Sequence, residues 1–371
     1  MRGQLYLGAI SGTSVDGLDL ALIETSQRIR ILAGTTFPLP DELRRDLLAL
    51  GRPVPTDLDL LGRADAALGE LIGRTALEFL AGQGIAPADV IAIGSHGQTV
   101  RHRPAGALPF TMQIGDPNRI AEISGITTVA DFRRRDVAAG GQGAPLVPPF
   151  HAALLRTETE NRAVLNLGGI GNFTLLPADP DAPVTGFDTG PGNALMDDWI
   201  AQTRQVPYDR DGAWAASGRV DDALLARLLA DPYLCEPPPK STGREYFNLE
   251  WLNAQLRQHL AGRPVADADV QATLCAFTAE TVAQALAAWG SGTERVLVCG
   301  GGRHNRTLLA EIAARVPCPV ETTDEHGIDG DLIEAAAFAW LAHQALNRQP
   351  GNEPAVTGAR GPRVLGGVYP A

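Results

Sequence analysis

Apolar positions along the chain recur with two periods, and the switches between them divide it into strands and helices. Residues 4–10 (Gln-Leu-Tyr-Leu-Gly-Ala-Ile) are nearly continuous apolar, and residues 18–23 resume the pattern after a short polar stretch. This predicts a β-hairpin with a small, hydroxyl-rich tip. Helical spacing rich in Leu and Ala follows at 41–50 and 57–82. Val90-Ile91-Ala92-Ile93 reads as a strand running into a polar loop over Gly94–His102. Residues 112–117 precede a helix, and 127–132 read as a further strand that ends beside the arginines at 133–135. Residues 163–167 and the run to Leu176 predict a second hairpin, tipped by glycines. An apolar run then delivers Asp188 to a sharp turn, Gly190-Pro191-Gly192-Asn193, where Asn193 can cap the next helix. Helices are expected over 192–204, 221–230, 248–261 and 267–289, then a strand over 295–299 and helices from Arg306 and up to Leu346. The tail from Thr357 is Gly- and Pro-rich with one short apolar run, Val364-Leu365. A strand, a glycine-rich tip and a second strand thus occur twice, once in each half.

A chain of 371 residues exceeds one comfortable core and implies two lobes. The glycine-rich segment 133–146 has a boundary near it, around residues 135–143, with lobe I expected at 1–137 plus 350–371 and lobe II at 138–349. The net charge of −12 leaves no basic surplus for nucleic acid or an anionic membrane. No apolar stretch approaches the roughly 18 residues that span a bilayer. Polar residues interrupt the N-terminal apolar run too early for a signal peptide. Cys235, Cys275, Cys299 and Cys318 form no Cys-x-x-Cys pair, which suits a reducing cytoplasm.

Lysine narrows the chemistry further. Lys240 is the only one, behind three prolines. A Walker A loop needs its lysine at the phosphates, and a protein kinase needs one on its third strand. Neither arrangement exists here, so phosphate chemistry must use backbone amides, hydroxyls, carboxylates with Mg²⁺, or arginine.

The tip Ser11-Gly12-Thr13-Ser14-Val15-Asp16-Gly17 lets backbone N–H groups approach a phosphate, and Asp16 can hold a metal-bound water; a plain polar hairpin fits the same residues. His96 and His102 lack a third ligand at useful spacing, which favours sugar contacts or loop hydrogen bonds over a metal. Arg133-Arg134-Arg135 is a solvated charge run or an anion contact beside the Gly-Gly-x-Gly loop. At Gly168–Thr174 a Rossmann fingerprint fails, because a strand follows and Thr174 stands where the third glycine belongs. Gly300-Gly301-Gly302 at a strand-to-helix turn allow adenine or ribose to lie on the backbone. Asp188 fits an ordinary Asx-turn or a carboxylate held for chemistry. The loop 240–247 can touch a sugar or cap a helix.

Two hairpins with phosphate-type tips, an acid between them and a later Gly-Gly-Gly turn resemble the actin, sugar kinase and Hsp70 ATPase superfamily. Six stretches are more specific: 12–19, 94–99, 131–136, 140–146 (Gly-Gly-Gln-Gly-Ala-Pro-Leu), 166–172 (Asn-Leu-Gly-Gly-Ile-Gly-Asn) and 187–193 (Phe-Asp-Thr-Gly-Pro-Gly-Asn). Together they resemble the anhydro-N-acetylmuramic acid kinase family, over nearly the whole chain. The resemblance implies an α/β, two-lobed actin-like fold with mixed sheets, phosphate-binding β-hairpins and ATP in the interlobe cleft. It implies a reaction in which ATP and water convert 1,6-anhydro-N-acetylmuramic acid into N-acetylmuramic acid 6-phosphate, and a homodimer as the working form.

By the family's pattern Asp188 is the general base. Gly12, Thr13, Ser14, Val15, Asp16, Gly17, Leu18 and Asp19 would cradle the phosphates, with Asp16 or Asp19 on Mg²⁺. Asn166, Gly168, Gly169, Gly171 and Asn172 would form the second phosphate hairpin, joined by Gly190, Gly192 and Asn193. Gly300, Gly301, Gly302 and Arg303 would contact adenosine. His96, Gln98, Arg133, Arg135 and Glu334 would meet the sugar and its lactyl carboxylate, with the choice of arginine open. A sugar or acetate kinase without a hydrolytic step is the alternative within this fold. An ATP-driven protein clamp or filament is a second, and a histidine-metal hydrolase a third that lacks ligands.

Overall fold

The computed structural model describes residues 3–12, 15–52, 54–259 and 265–371. The chain divides into unit 1 (Met1–Leu154 and Leu332–Ala371) and unit 2 (Leu155–Asp331).

Unit 1 opens with β1 (Gln4–Ser11), β2 (Leu18–Thr25) and β3 (Ile29–Phe37), then α1 (Asp41–Gly51), α2 (Leu58–Gly82) and β4 (Val90–Arg103). It continues through β5 (Phe110–Ile114), α3 (Pro117–Ser124), β6 (Thr128–Ala130), α4 (Phe132–Ala138) and α5 (Pro148–Leu155). Unit 2 holds β7 (Arg162–Leu167), β8 (Ile170–Leu176), β9 (Thr185–Pro191), α6 (Ala194–Arg204), α7 (Ala213–Ser217), α8 (Asp222–Leu229) and α9 (Leu249–His259). Then come α10 (Asp267–Trp289), β10 (Arg295–Cys299), α11 (Arg306–Ala313) and β11 (Val320–Thr322). The chain returns to unit 1 for α12 (Ile333–Leu346), α13 (Pro354–Thr357) and β12 (Gly367–Tyr369).

The two sheets repeat one plan. In unit 1 the order is β12-β6-β4-β1-β2-β3, with β5 beside β4; in unit 2 it is β11-β10-β7-β8-β9. Each begins as an antiparallel meander of three strands, and each then adds strands parallel to its first: β4 along β1 and β10 along β7. Crossover helices cover these parallel strands, which explains why β1 and β10 read as unbroken apolar runs. Leu7, Leu20, Leu22, Leu68 and Ile72 anchor the core of unit 1, and Leu165, Phe173, Phe277 and Val298 that of unit 2.

The structure moves several boundaries. The sequence placed residues 138–154 and the helix ending near Leu346 in the second lobe, whereas both belong to unit 1. Helix α12 is alanine-rich and lies directly on strand glycines. A Cβ at Gly8 would stand 1.8 Å from Ala335 O, and one at Gly94 would stand 1.9 Å from Phe338 O. The stretch Gly94–His102, read as a loop, continues strand β4, with a register shift opposite Ala9 and Ile10. Arg133, Arg134 and Arg135 lie on α4 and not on a strand end. Strand β3 was not anticipated at all; its alternating, half-exposed residues pair with β2 along its length. No helix among the described residues is long and apolar enough to cross a membrane.

Candidate active site

Asp188 sits within β9, across from Asn172 of β8, and not at a turn. Gly186, Thr189 and Gly190 look like turn residues, yet all three extend the strand. Residues 240–242 supply further partners to Asp188. Asp188 N–H donates to Lys240 O at 3.1 Å. Ser241 Oγ and Thr242 N–H donate to Asp188 Oδ2 at 3.0 and 2.9 Å. Tyr233 O–H donates to Asp188 O at 3.1 Å. Burial pushes the Asp188 carboxyl up to about 6, opposed by those two hydrogen bonds; Glu245 raises it further and Lys240 lowers it.

The glycine tip beside this acid is locked to α6. Gly168 O accepts from Asn193 N–H at 2.8 Å, and Gly169 O accepts from Gly192 and Ala194 N–H at 2.9 and 3.1 Å. Asn193 Nδ2 donates to Leu167 O at 3.2 Å. Asn193 does occupy the N-cap position of α6, but its side chain holds the hairpin and makes no capping bond. A Cβ at Gly192 would lie 2.3 Å from Gly168 O, so this contact requires glycine. Because a peptide's N–H points opposite its C=O, the Gly169 amide faces away from α6. Gly190, Gly192 and Asn193 thus shape the tip formed by Gly168, Gly169 and Gly171, while Asn166 and Asn172 pair across β7 and β8.

Arg244 runs over this tip. Its Cδ lies 3.8 Å from where a Gly169 Cβ would stand, and its guanidinium pairs with Asp198 at 2.5 Å. Burial pushes the neighbouring Asp197 carboxyl up to about 7, against the pull of Arg244.

The first tip, between β1 and β2, is braced by α1. Val15 is buried at a φ of 56°, a costly conformation for a β-branched residue. Its N–H donates to Gly12 O, and its carbonyl accepts from Arg44 Nε at 3.0 Å. Arg44 also approaches the exposed Asp16 at 3.7 Å. Asp19 accepts from Thr36 Oγ1 at 2.6 Å. Gly17 leads into Leu18, which is fully buried in the core. Thr13 and Ser14 lie outside the described residues. Below the tip, Ser11 stands opposite Gln98 and Ala9 opposite Ser95. Ser11 Oγ, Ser95 Oγ and Gln98 Oε1 are buried polar atoms without a hydrogen-bond partner among the described residues, a costly state.

Unit 1 also assembles His96, Arg133 and Glu334. Arg133 Nε donates to His96 Nε2 at 2.9 Å, and Arg133 Nη1 donates to Gly143 O at 2.8 Å. Burial lowers the Arg133 guanidinium to about 10, opposed by the charges of Glu334 and Asp136. The His96 ring lies tilted against Phe338 with ring centroids 4.6 Å apart. Arg135 is exposed on the other side of α4, in a groove with Asp131 and Arg134. Asp136, fully buried, accepts from Gly143 N–H, Asn352 and Thr357 and ties the glycine loop to the tail. The sequence alone gives it no such role, because two of its three partners, Asn352 and Thr357, lie more than 200 residues away.

In unit 2, Gly300 takes a φ of 77° after β10, and Gly301 is open, with no atom near its missing Cβ. Gly302 is buried against Leu167 and Asn193. Arg303 departs from the expected adenosine contact. Its side chain is only 4% exposed and is engaged by Asp324 at 2.5 Å, Asp329 at 3.0 Å and Asp331. The arginine builds the turn beneath the glycines.

Duplicated sheets that share a strand order, each beginning with a polar hairpin tip, define an actin-like, sugar-kinase fold. The family model described as anhydro-N-acetylmuramic acid kinase matches residues 4–371. The chain belongs to that family. It is 55% identical over 373 residues to the anhydro-N-acetylmuramic acid kinase of Xanthomonas campestris pv. campestris (strain 8004), covering 99% of this chain and 97% of that one. It is 49% identical over 370 residues to the Coxiella burnetii (strain Dugway 5J108-111) protein of the same name, covering 100% and 98%. Among solved structures, a ROK family glucokinase from Streptomyces griseus with glucose and AMPPNP matches at 15% identity and a TM-score of 0.40, covering 92% of this chain and 99% of that one. A xylulose kinase from Rhodospirillum rubrum matches at 12% identity and a TM-score of 0.45, covering 91% and 89%.

Proposed function

We propose that the protein hydrolytically opens 1,6-anhydro-N-acetylmuramic acid and phosphorylates O6 with ATP, yielding N-acetylmuramic acid 6-phosphate and ADP. The observation that carries this reading is Asp188, a carboxylate lifted by burial to about 6 and held by donors on one oxygen. A base near the working pH accepts a proton from water and still presents a useful ionised fraction. Water loses its proton to Asp188 as its oxygen bonds to C1, and the C1–O6 bond breaks. The developing O6 alkoxide bonds to the γ-phosphorus as the bond to ADP breaks.

Arg133, kept charged and aimed by His96 and Gly143, supplies the cation for the lactyl carboxylate, with Glu334 nearby and Gln98 among the polar atoms below the first tip. The Gly12–Asp19 and Asn166–Asn172 hairpins would carry the phosphates, and Gly300–Gly302 the adenosine. Asp16 and Asp19 offer the hard oxygen ligands that Mg²⁺ prefers, and Asp16 is open to take part. Magnesium there would neutralise charge on the polyphosphate. The family pattern extends the proposal to a cytoplasmic homodimer acting in cell-wall recycling and amino-sugar catabolism. The test is mass analysis of product formed from the anhydrosugar and ATP in ¹⁸O-water. One ¹⁸O at C1 is expected; phosphorylation without incorporation would reduce the protein to a sugar kinase with no hydrolytic step.

A further inference from the structure

The single lysine and its two successors have no role in the reaction as described, yet they touch its base. Lys240 is 8% exposed, and its Nζ donates to Tyr233 O at 3.3 Å and Leu234 O at 3.1 Å while lying 4.8 Å from the Tyr233 ring centroid. Those bonds tie residue 240 to the turn at 233–234. Its own carbonyl receives the Asp188 amide, and Tyr233 returns to the Asp188 carbonyl. Main chain on both sides of the base is thereby fixed. From this anchored segment, Ser241 and Thr242 each place one donor on the same oxygen, Oδ2. Among the described residues nothing donates to Oδ1.

We propose that Lys240, Ser241 and Thr242 are the positioning device for Asp188, with Oδ2 held and Oδ1 left as the oxygen that takes the proton from water. The inference rests on Asp188 acting as a base. Two donors on Oδ2 cost that oxygen its basicity and orient the free lone pairs of Oδ1 in one direction. They also favour the ionised form, opposing the burial that raises the carboxyl. The charged and titratable groups facing this site are Lys240, Tyr233 and Glu245, with Glu236 acting on Lys240 and Tyr233 and Cys235 acting on Lys240. None of these is removed when Ser241 is changed, so the effect of the hydroxyl can be isolated. Lysine in many kinases meets the phosphate; here it is spent on the backbone beneath the base.

The experiment is the pH profile of kcat/KM for the anhydrosugar with ATP, measured on the full chain as Ser241→Ala and Ser241→Thr. Loss of a donor to the carboxylate raises the pKa of the base, so the acid limb of Ser241→Ala should move up by about one pH unit, a tenfold loss well below the limb. Ser241→Thr, which keeps the hydroxyl, should retain the wild-type limb, and KM for ATP should stay within about twofold in both. Ser241 is exposed, so folding is not at risk. A limb in Ser241→Ala at the wild-type position overturns the positioning role. Asp188→Asn distinguishes the two failures. If it too turns over normally, the base reading falls; if it is inactive while Ser241→Ala keeps its limb, only the positioning role falls.

Discussion

Arg133 donates through Nε to Nε2 of His96, 2.9 Å away, and this bond fixes the histidine's protonation state. A guanidinium can only donate, so Nε2 carries a lone pair. The proton is therefore on Nδ1, which donates to Gly97 O at 3.0 Å. Burial and the Arg133 charge together hold His96 well below the usual histidine range. His96 is a neutral acceptor that aims an arginine. Glu334 supports the guanidinium charge from α12.

Arg133→Ala should raise the sugar KM by about 10-fold or more, the loss expected when a charge-assisted bond worth about 1.5–3 kcal/mol disappears. Arg135→Ala should leave it unchanged, because Arg135 faces solvent. Steady-state kinetics at saturating ATP decide between them. An equal effect in both variants would return the arginines to a general electrostatic role.

Arg303 is predicted to matter for stability. Removing the hub of a carboxylate cluster leaves like charges facing one another, a loss of about 3–5 kcal/mol for a fully buried pair. Asp324, Asp329 and Asp331 are about half exposed and rehydrate, so Arg303→Ala should fall at or below the low end of that range. Denaturant unfolding measures this. A variant as stable as wild type with a much weaker nucleotide affinity would favour a direct adenosine contact.

Gly8→Ala tests the seat of α12. The new methyl would lie 1.8 Å from a backbone carbonyl, which no side-chain rotation can relieve. Overpacking of this kind costs about 1–3 kcal/mol and sometimes more. An unchanged melting temperature would contradict the close strand–helix contact.

Much of this architecture was legible in local pattern. Both hairpins, the long helix over 267–289 and the acid at 188 could be read from periodicity and turn chemistry. What escaped is long-range. Gly94-Ser95-His96-Gly97 has loop composition but is held as strand by β1 and β6. Asp188 reads as a turn residue but lies in a strand paired with β8 at Asn172, and residues 240–242, over 50 positions later, hold its side chain. Arg133 and Arg135 are indistinguishable in sequence; only the helical phase of α4 turns one inward and one to solvent. The alanines of α12 signal a buried helix, but nothing local shows that they face Gly8 and Gly94.

Asp188→Asn should separate stability from activity. Its folded carboxyl titrates near 6, above the 3.8 of a free aspartate. The folded state therefore binds this proton more tightly, and the resulting stabilisation is complete below about pH 4 and lost as pH rises through about 6. At pH 8 wild type carries an ionised, poorly hydrated carboxylate that asparagine lacks. Melting at pH 8 should place Asp188→Asn at or above wild type, with the gap narrowing at pH 5. A variant melting well below wild type at pH 8 would contradict this balance.

The same variant gives the most direct test of the proposed chemistry. Asp188→Asn keeps the shape of the strand and an oxygen for Ser241 and Thr242, but it removes the base. The measurement is the rate of N-acetylmuramic acid 6-phosphate formation from the anhydrosugar and ATP by the folded variant. General-base catalysis contributes at least about 10²-fold, so the rate should fall by that much or more. ADP release should fall in parallel, because the O6 nucleophile forms only as the anhydro bond breaks. Nucleotide affinity should change little. A folded Asp188→Asn protein that phosphorylates the anhydrosugar at the wild-type rate would contradict both the base assignment and the coupling of ring opening to phosphoryl transfer.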